Sequence, residues 1–93
     1  MTTSTPQQNG ISAETIRDWL LERVADYVEM PVADIKSDVK LVEYGLDSVY
    51  ALTLCGDIDD EYGIEVDPTL AWDYPTVDAI VGYLLELLEK EAA

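Results

Sequence analysis

The sequence predicts an all-α fold, a four-helix bundle with three long helices, one short helix and a long loop between helices one and two. Apolar residues recur with a period near 3.6 instead of 2. The periodic stretches are bounded by residues that start or stop helices. At 93 residues the chain is long enough for one core and too short for two.

Ser12 is expected to cap a first helix running to about Glu29. Ile16, Leu20, Val24 and Tyr27 project to one side of it, with Leu21 and Val28 broadening the stripe, while Asp18, Glu22, Asp26 and Glu29 stay in water. Met30-Pro31 ends the pattern, because proline disfavours helix in the residue before it. Residues 1–11 are expected to be a disordered lead-in and residues 12–91 the folded domain. The lead-in has neither the basic cluster nor the apolar run of a secretory signal.

Pro31 to Leu46 shows no sustained period. Loops of about 15 residues are functional or firmly anchored, and Val32, Ile35, Val39, Leu41 and Val42 argue here for anchoring on the core. A second helix is expected from Asp47-Ser48 to about Tyr62, stopped by Gly63. Ala51, Leu54, Cys55, Ile58 and Tyr62 fall within its core arc; Val49, Leu52 and Gly56 lie roughly opposite, beside Asp59 and Asp60. Asp67-Pro68 opens a short helical turn through Leu70 and Trp72. Thr76 is expected to cap a last helix whose core face is Val77, Ile80, Val81, Leu84 and Leu88, and which frays near Lys90.

Twenty acidic residues face five basic ones, for a net charge of −15. Nucleic acid is therefore a poor partner, since phosphate binding needs Lys and Arg to displace counterions. No positive side chain lies between Lys40 and Lys90, and Asp57, Asp59, Asp60, Glu61, Glu65 and Asp67 fall within eleven consecutive positions. A field of one sign attracts basic partner surfaces and speeds their encounter. No apolar run is long enough to span a membrane.

The chain contains no His, which excludes a Ser-His-Asp triad, a Cys-His pair and a His-ligated metal site built from its own residues. Cys55 is the single cysteine, cannot form an internal disulfide, fits a reducing cytoplasm and reads as a small core residue. Asp57 to Gly63 superficially suggests a calcium loop, but counting from Asp57 puts Tyr62 where the loop needs Gly and Pro68 where it needs Glu.

Gly45-Leu46-Asp47-Ser48-Val49 is the informative stretch. Either Asp47 or Ser48 makes a good helix cap, which is the plain reading. A nucleophile-elbow serine needs Gly two residues on, where Tyr50 stands. A third reading makes Ser48 the target of modification, because a phosphate attached in the first turn of a helix meets free N–H groups and the positive end of the dipole.

Leu41-Val42-Glu43-Tyr44-Gly45-Leu46-Asp47-Ser48 resembles the signature of acyl carrier proteins, in which an Asp-Ser pair opens the second helix. Trp72-Asp73-Tyr74-Pro75-Thr76-Val77 is similar to the segment joining the third and fourth helices in the polyketide synthase type. The resemblance spans Ser12 to Leu88. It implies 4′-phosphopantetheine held covalently on Ser48, with Asp47 helping to position the modifying enzyme or its metal. It also implies a non-catalytic chain that carries acyl thioesters between enzymes. The partners implied are a phosphopantetheinyl transferase and an acyltransferase, ketosynthase or other synthase enzymes with basic docking surfaces. The chain is expected to be a cytoplasmic monomer. A start at Met1 and an end soon after the last helix suit a discrete protein acting in trans, although an excised domain with an added Met has the same sequence.

Val49, Leu52, Asp59 and Asp60 are the expected docking strip on the outer face of the second helix. Two positions depart from the family pattern: Val49 replaces the usual Leu, and Gly56 sits mid-helix, where Gly costs roughly 1 kcal/mol relative to Ala. The rival readings are a carrier of an amino acid or other starter unit, and an unmodified acidic helical interaction protein in which Ser48 is only a cap.

Overall fold

The computed structural model describes residues 12–92; the expected lead-in over 1–11 lies outside them. Four α-helices occur in this span: α1 (Ala13–Val28), α2 (Ser48–Tyr62), α3 (Leu70–Asp73) and α4 (Val77–Ala92). Three are long and one is a single turn, as the periodicity predicts. None is long and apolar enough to cross a membrane.

Local chemistry sets the helix ends. Ser12 Oγ accepts the Thr15 N–H at 3.2 Å, and Thr76 Oγ1 accepts the Ala79 N–H at 3.1 Å, so both expected N-caps form. Gly63 closes α2 in the left-handed conformation (φ 69°), donating to the Asp59 carbonyl at 2.8 Å. Glu29 takes the same role after α1 at φ 59°, a conformation costly for a residue with a Cβ. α4 stays helical to Ala92, beyond the expected fraying point at Lys90. Leu87 and Leu88 pack its last turns against the core.

α1 packs against α4, and α2 against α3. Ile16, Leu20, Val24, Leu54, Ile58 and Leu84 are among the fully enclosed side chains. Two expectations for the core need correction. Tyr27 is exposed, because the buried arc of α1 turns toward Ala25 and Val28 in its last turns and leaves Tyr27 at the rim. Tyr50 is 2% exposed and belongs to the core of α2, where the sequence pattern gave it no place. The two rings meet at 4.4 Å between centroids. Cys55 and Tyr62 are half-buried at the edge of the core, Tyr62 standing edge-on to Trp19.

The long connection between α1 and α2 is anchored, as expected, but through fewer apolar side chains. Ile35, Leu41 and Leu46 are buried; Val32 and Val42 face solvent from two short 3-10 turns, Val32–Asp34 and Leu41–Tyr44. Backbone hydrogen bonds complete the anchoring. The Leu41 N–H donates to the Pro75 carbonyl at 2.8 Å, and the Asp78 N–H, in the first turn of α4, donates to the Ser37 carbonyl at 3.0 Å. A first-turn donor that its own helix cannot satisfy thus ties the loop to α4.

Two ion pairs form among the described residues, Arg17–Asp78 at 3.0 Å and Arg23–Asp26 at 2.9 Å. Most of the acids thus repel one another across water, a cost that salt screens. The melting temperature is expected to rise between low and moderate ionic strength in a calorimetric or circular-dichroism scan. A flat or falling curve would show the acids to be compensated individually.

Candidate functional site

Ser48 is the first residue of α2 and is exposed. Its position follows from its neighbours. Tyr50 and Ala51 point into the core, which fixes the rotation of the helix and turns Ser48 outward. Asp47, also exposed, does the capping: its Oδ1 accepts the Tyr50 N–H at 3.1 Å, and its carbonyl accepts the Ala51 N–H at 3.1 Å. The N–H groups of Ser48 and Val49 precede any carbonyl their helix could offer, so they remain donors for an outside acceptor. The Ser48 hydroxyl is left over from the cap. A phosphodiester on it would meet two N–H groups and the positive end of a four-turn helix.

A shallow groove of about 320 Å³ begins at Ser48. Ser48, Ala51 and Leu52 form its α2 wall, and Pro68, Thr69 and Trp72 its other wall. Asp67 shapes that second wall. Its Oδ1 accepts both the Thr69 N–H and the Thr69 hydroxyl, which set the turn into α3 and hold the Asp67 carboxyl below its ordinary range. Leu52 and Trp72 stand 60% and 57% exposed on either side. The lining is almost wholly apolar, suited to a slender flexible chain. Trp72 was not singled out from the sequence as a site residue. The available signal was its spacing of four from Pro68, which places both on one side of a single turn.

Val49, Leu52, Asp59 and Asp60 are all exposed. At 100° per residue they fall, with Gly56, within an arc of about 100°, and Ser48 sits at its edge. Val49 is 62% exposed, close to Leu52 in the same arc. Nothing within the fold requires Gly56 to be glycine, since an added Cβ would meet no atom within 4 Å.

Burial, and then the charge of Asp67, push the Cys55 thiol above its ordinary value, away from the thiolate that reactivity needs. Burial, and then Asp57, likewise drive the Tyr50 phenol far up, so it stays neutral.

The phosphopantetheine attachment site family matches residues 18–84. The chain is 35% identical over 89 residues to the 6-methylsalicylic acid synthase of Aspergillus terreus, covering 87% of this chain and 5% of that synthase. A free-standing peptidyl carrier protein from Acinetobacter baumannii superposes with a TM-score of 0.80 at 36% identity, covering 83% of this chain and 96% of that one. The acyl carrier protein LipD from Actinoplanes friuliensis superposes with a TM-score of 0.73, also at 36% identity, covering 97% of each chain. With its Asp-Ser pair opening the second helix of a matching bundle, the chain belongs to the phosphopantetheine-binding carrier protein family.

Proposed function

We propose that residues 12–91 form an acyl carrier domain that takes 4′-phosphopantetheine on Ser48 and delivers acyl groups to the enzymes of a polyketide synthase. The observation that carries this reading is the exposed Ser48 hydroxyl at the start of α2, beside an apolar groove and free of the capping that Asp47 performs. When bound, the arm supplies a terminal thiol that holds the acyl group as a thioester. Ser48 anchors that arm, and the free N–H groups of the first turn balance the charge of its phosphodiester. Leu52 and Trp72 offer the arm an apolar resting surface. Tethering raises the local concentration of substrate at each partner site. The chain itself does no chemistry in this reading.

A phosphopantetheinyl transferase loads Ser48, with Asp47 orienting the enzyme or its metal. Acyltransferase and ketosynthase partners with basic surfaces dock on Val49, Leu52, Asp59 and Asp60. The carrier works as a monomer in the cytoplasm. Polyketide cargo is supported by the similarity to the Aspergillus synthase. A second reading, aminoacyl cargo, is supported by the likeness to the peptidyl carrier.

Intact-mass measurement after incubation with coenzyme A and a broad-specificity transferase tests the carrier reading. One phosphopantetheinyl addition is expected. No addition would leave an acidic interaction protein in which the start of α2 is only a cap.

A further inference from the structure

A second groove, of about 600 Å³, runs along the outer face of α4 and shares no residue with the groove at Ser48. Tyr74, Asp78, Gly82, Tyr83, Glu86 and Glu89 are among its lining residues. The Tyr74 and Tyr83 rings stack at 4.4 Å with only 17° between their planes. Both are half-buried and packed against the core, so the rings brace each other and leave only part of the pair at the surface. Three carboxylates border the pair, and no basic side chain lines the groove. Arg17, reaching across from α1, binds only Oδ1 of Asp78.

Gly82 gives an independent indication. It lies in the middle of α4, where glycine costs roughly 1 kcal/mol relative to alanine. The fold does not need it: an added Cβ would meet no atom within 4 Å, and its backbone lies outside the left-handed region. A mid-helix glycine opening onto a groove lets another chain approach the helix backbone closely.

From these features we infer that the α4 groove is a second docking surface, taking an arginine-bearing segment of a partner protein. The guanidinium plane would stack on the part of the tyrosine pair at the surface, as cations do on aromatic faces. Its N–H fork would reach the carboxylates of Glu86 or Asp78. Gly82 would admit the segment's backbone. A second copy of this chain does not suit the site, since both surfaces would be strongly acidic. Tyr74 lies two residues beyond Trp72, so the α3–α4 junction contributes an aromatic ring to each groove. A partner held on α4 would leave Ser48 and the α2 face open to a second enzyme.

The probe is a capped synthetic peptide with two arginines four residues apart, titrated into the isotope-labelled full chain and followed by amide chemical shifts. Saturable shifts centred on Tyr74, Asp78, Gly82, Tyr83 and Glu86 are expected, and the same peptide with glutamates should produce none. Gly82→Gln fills the groove while improving helix propensity, so it should raise the melting temperature yet weaken binding by about tenfold or more. Glu86→Lys with Glu89→Lys should weaken binding similarly, whereas Tyr83→Phe should keep it. Shifts centred on Asp57 to Glu65, or spread evenly over the acids, would overturn the inference, as would wild-type affinity in Gly82→Gln. Loading of Ser48 is measured separately on the same variants, so failure of this surface is distinct from failure of the carrier reading.

Discussion

Replacing Ser48 with alanine is expected to abolish phosphopantetheine loading completely while leaving the fold in place. The two outcomes separate because Ser48 and Asp47 divide the work at the start of α2. Asp47 supplies the cap, accepting the Tyr50 N–H, and the rotation of the helix is held by Tyr50 and Ala51 in the core. The Ser48 side chain is exposed, so its loss should change stability by no more than about 0.5 kcal/mol. Asp47→Ala provides the contrast. It removes the cap and should cost about 1 kcal/mol; it keeps the Ser48 hydroxyl but loses the carboxylate proposed to orient the transferase, so loading should slow without being abolished. The time course of intact mass and thermal denaturation, measured on both variants, separate attachment from capping. Modification of Ser48→Ala, or mapping of the arm to Ser37, would defeat the assignment. Ser37 is a poor candidate, because it is half-buried in the loop and its carbonyl is tied to α4 through the Asp78 N–H.

The ease with which such roles could be read from sequence depends on how local their causes are. Ser12, Thr76 and Gly63 could be placed as helix boundaries because a cap or a left-handed stop is decided by one or two residues. Glu29 could not be recognised as a stop. Nothing in its chemistry favours positive φ, and Pro31 two residues on is the stronger local stop signal. The 3-10 turns at Val32–Asp34 and Leu41–Tyr44 are too short to generate a period, so the loop showed only its apolar content. That content overstated the burial of Val32 and Val42, since a single turn can face only some of its residues inward.

Tyr50 is the instructive omission. It stands at the margin of the arc that holds Ala51, Leu54 and Ile58, where a contact from another helix helps to decide burial; Tyr27, more than twenty positions away, supplies one at 4.4 Å. The spacing of four from Tyr50 to Leu54 is compatible with burial, but the period of one helix does not carry the contact that another helix makes. The groove at Ser48 was half visible for the same reason. The α2 wall lies on one helix and follows from Ser48 and Leu52, whereas the opposite wall depends on how Asp67 and Thr69 turn the chain to present Trp72. An apolar stripe marks only the buried face of a helix. On α4 it includes Val77, Ile80 and Leu84 and leaves out Gly82 and Tyr83, which line the outer groove.

Asp59→Lys combined with Asp60→Lys is expected to slow transferase loading and downstream acyl transfer roughly tenfold at low salt, mainly through the association rate. Both residues are exposed farther along α2, at the two edges of the arc that also holds Val49 and Leu52. In the proposed docking they steer a basic surface toward the apolar pair without touching the reacting group. Wild-type rates should accordingly fall as salt is added, and the doubly reversed protein should lose most of that salt dependence. Val49→Ala acts at short range. It trims an apolar contact from a residue that is 62% exposed, so it should weaken the docked complex while leaving the salt dependence as it was. Neither change touches the core, and circular dichroism should show the bundle intact in both. Kinetics at several ionic strengths therefore separate steering from packing on a single helix face. If the doubly reversed protein loads and transfers at wild-type rates with its fold preserved, Asp59 and Asp60 are a solvated face, and docking must be sought elsewhere on the surface.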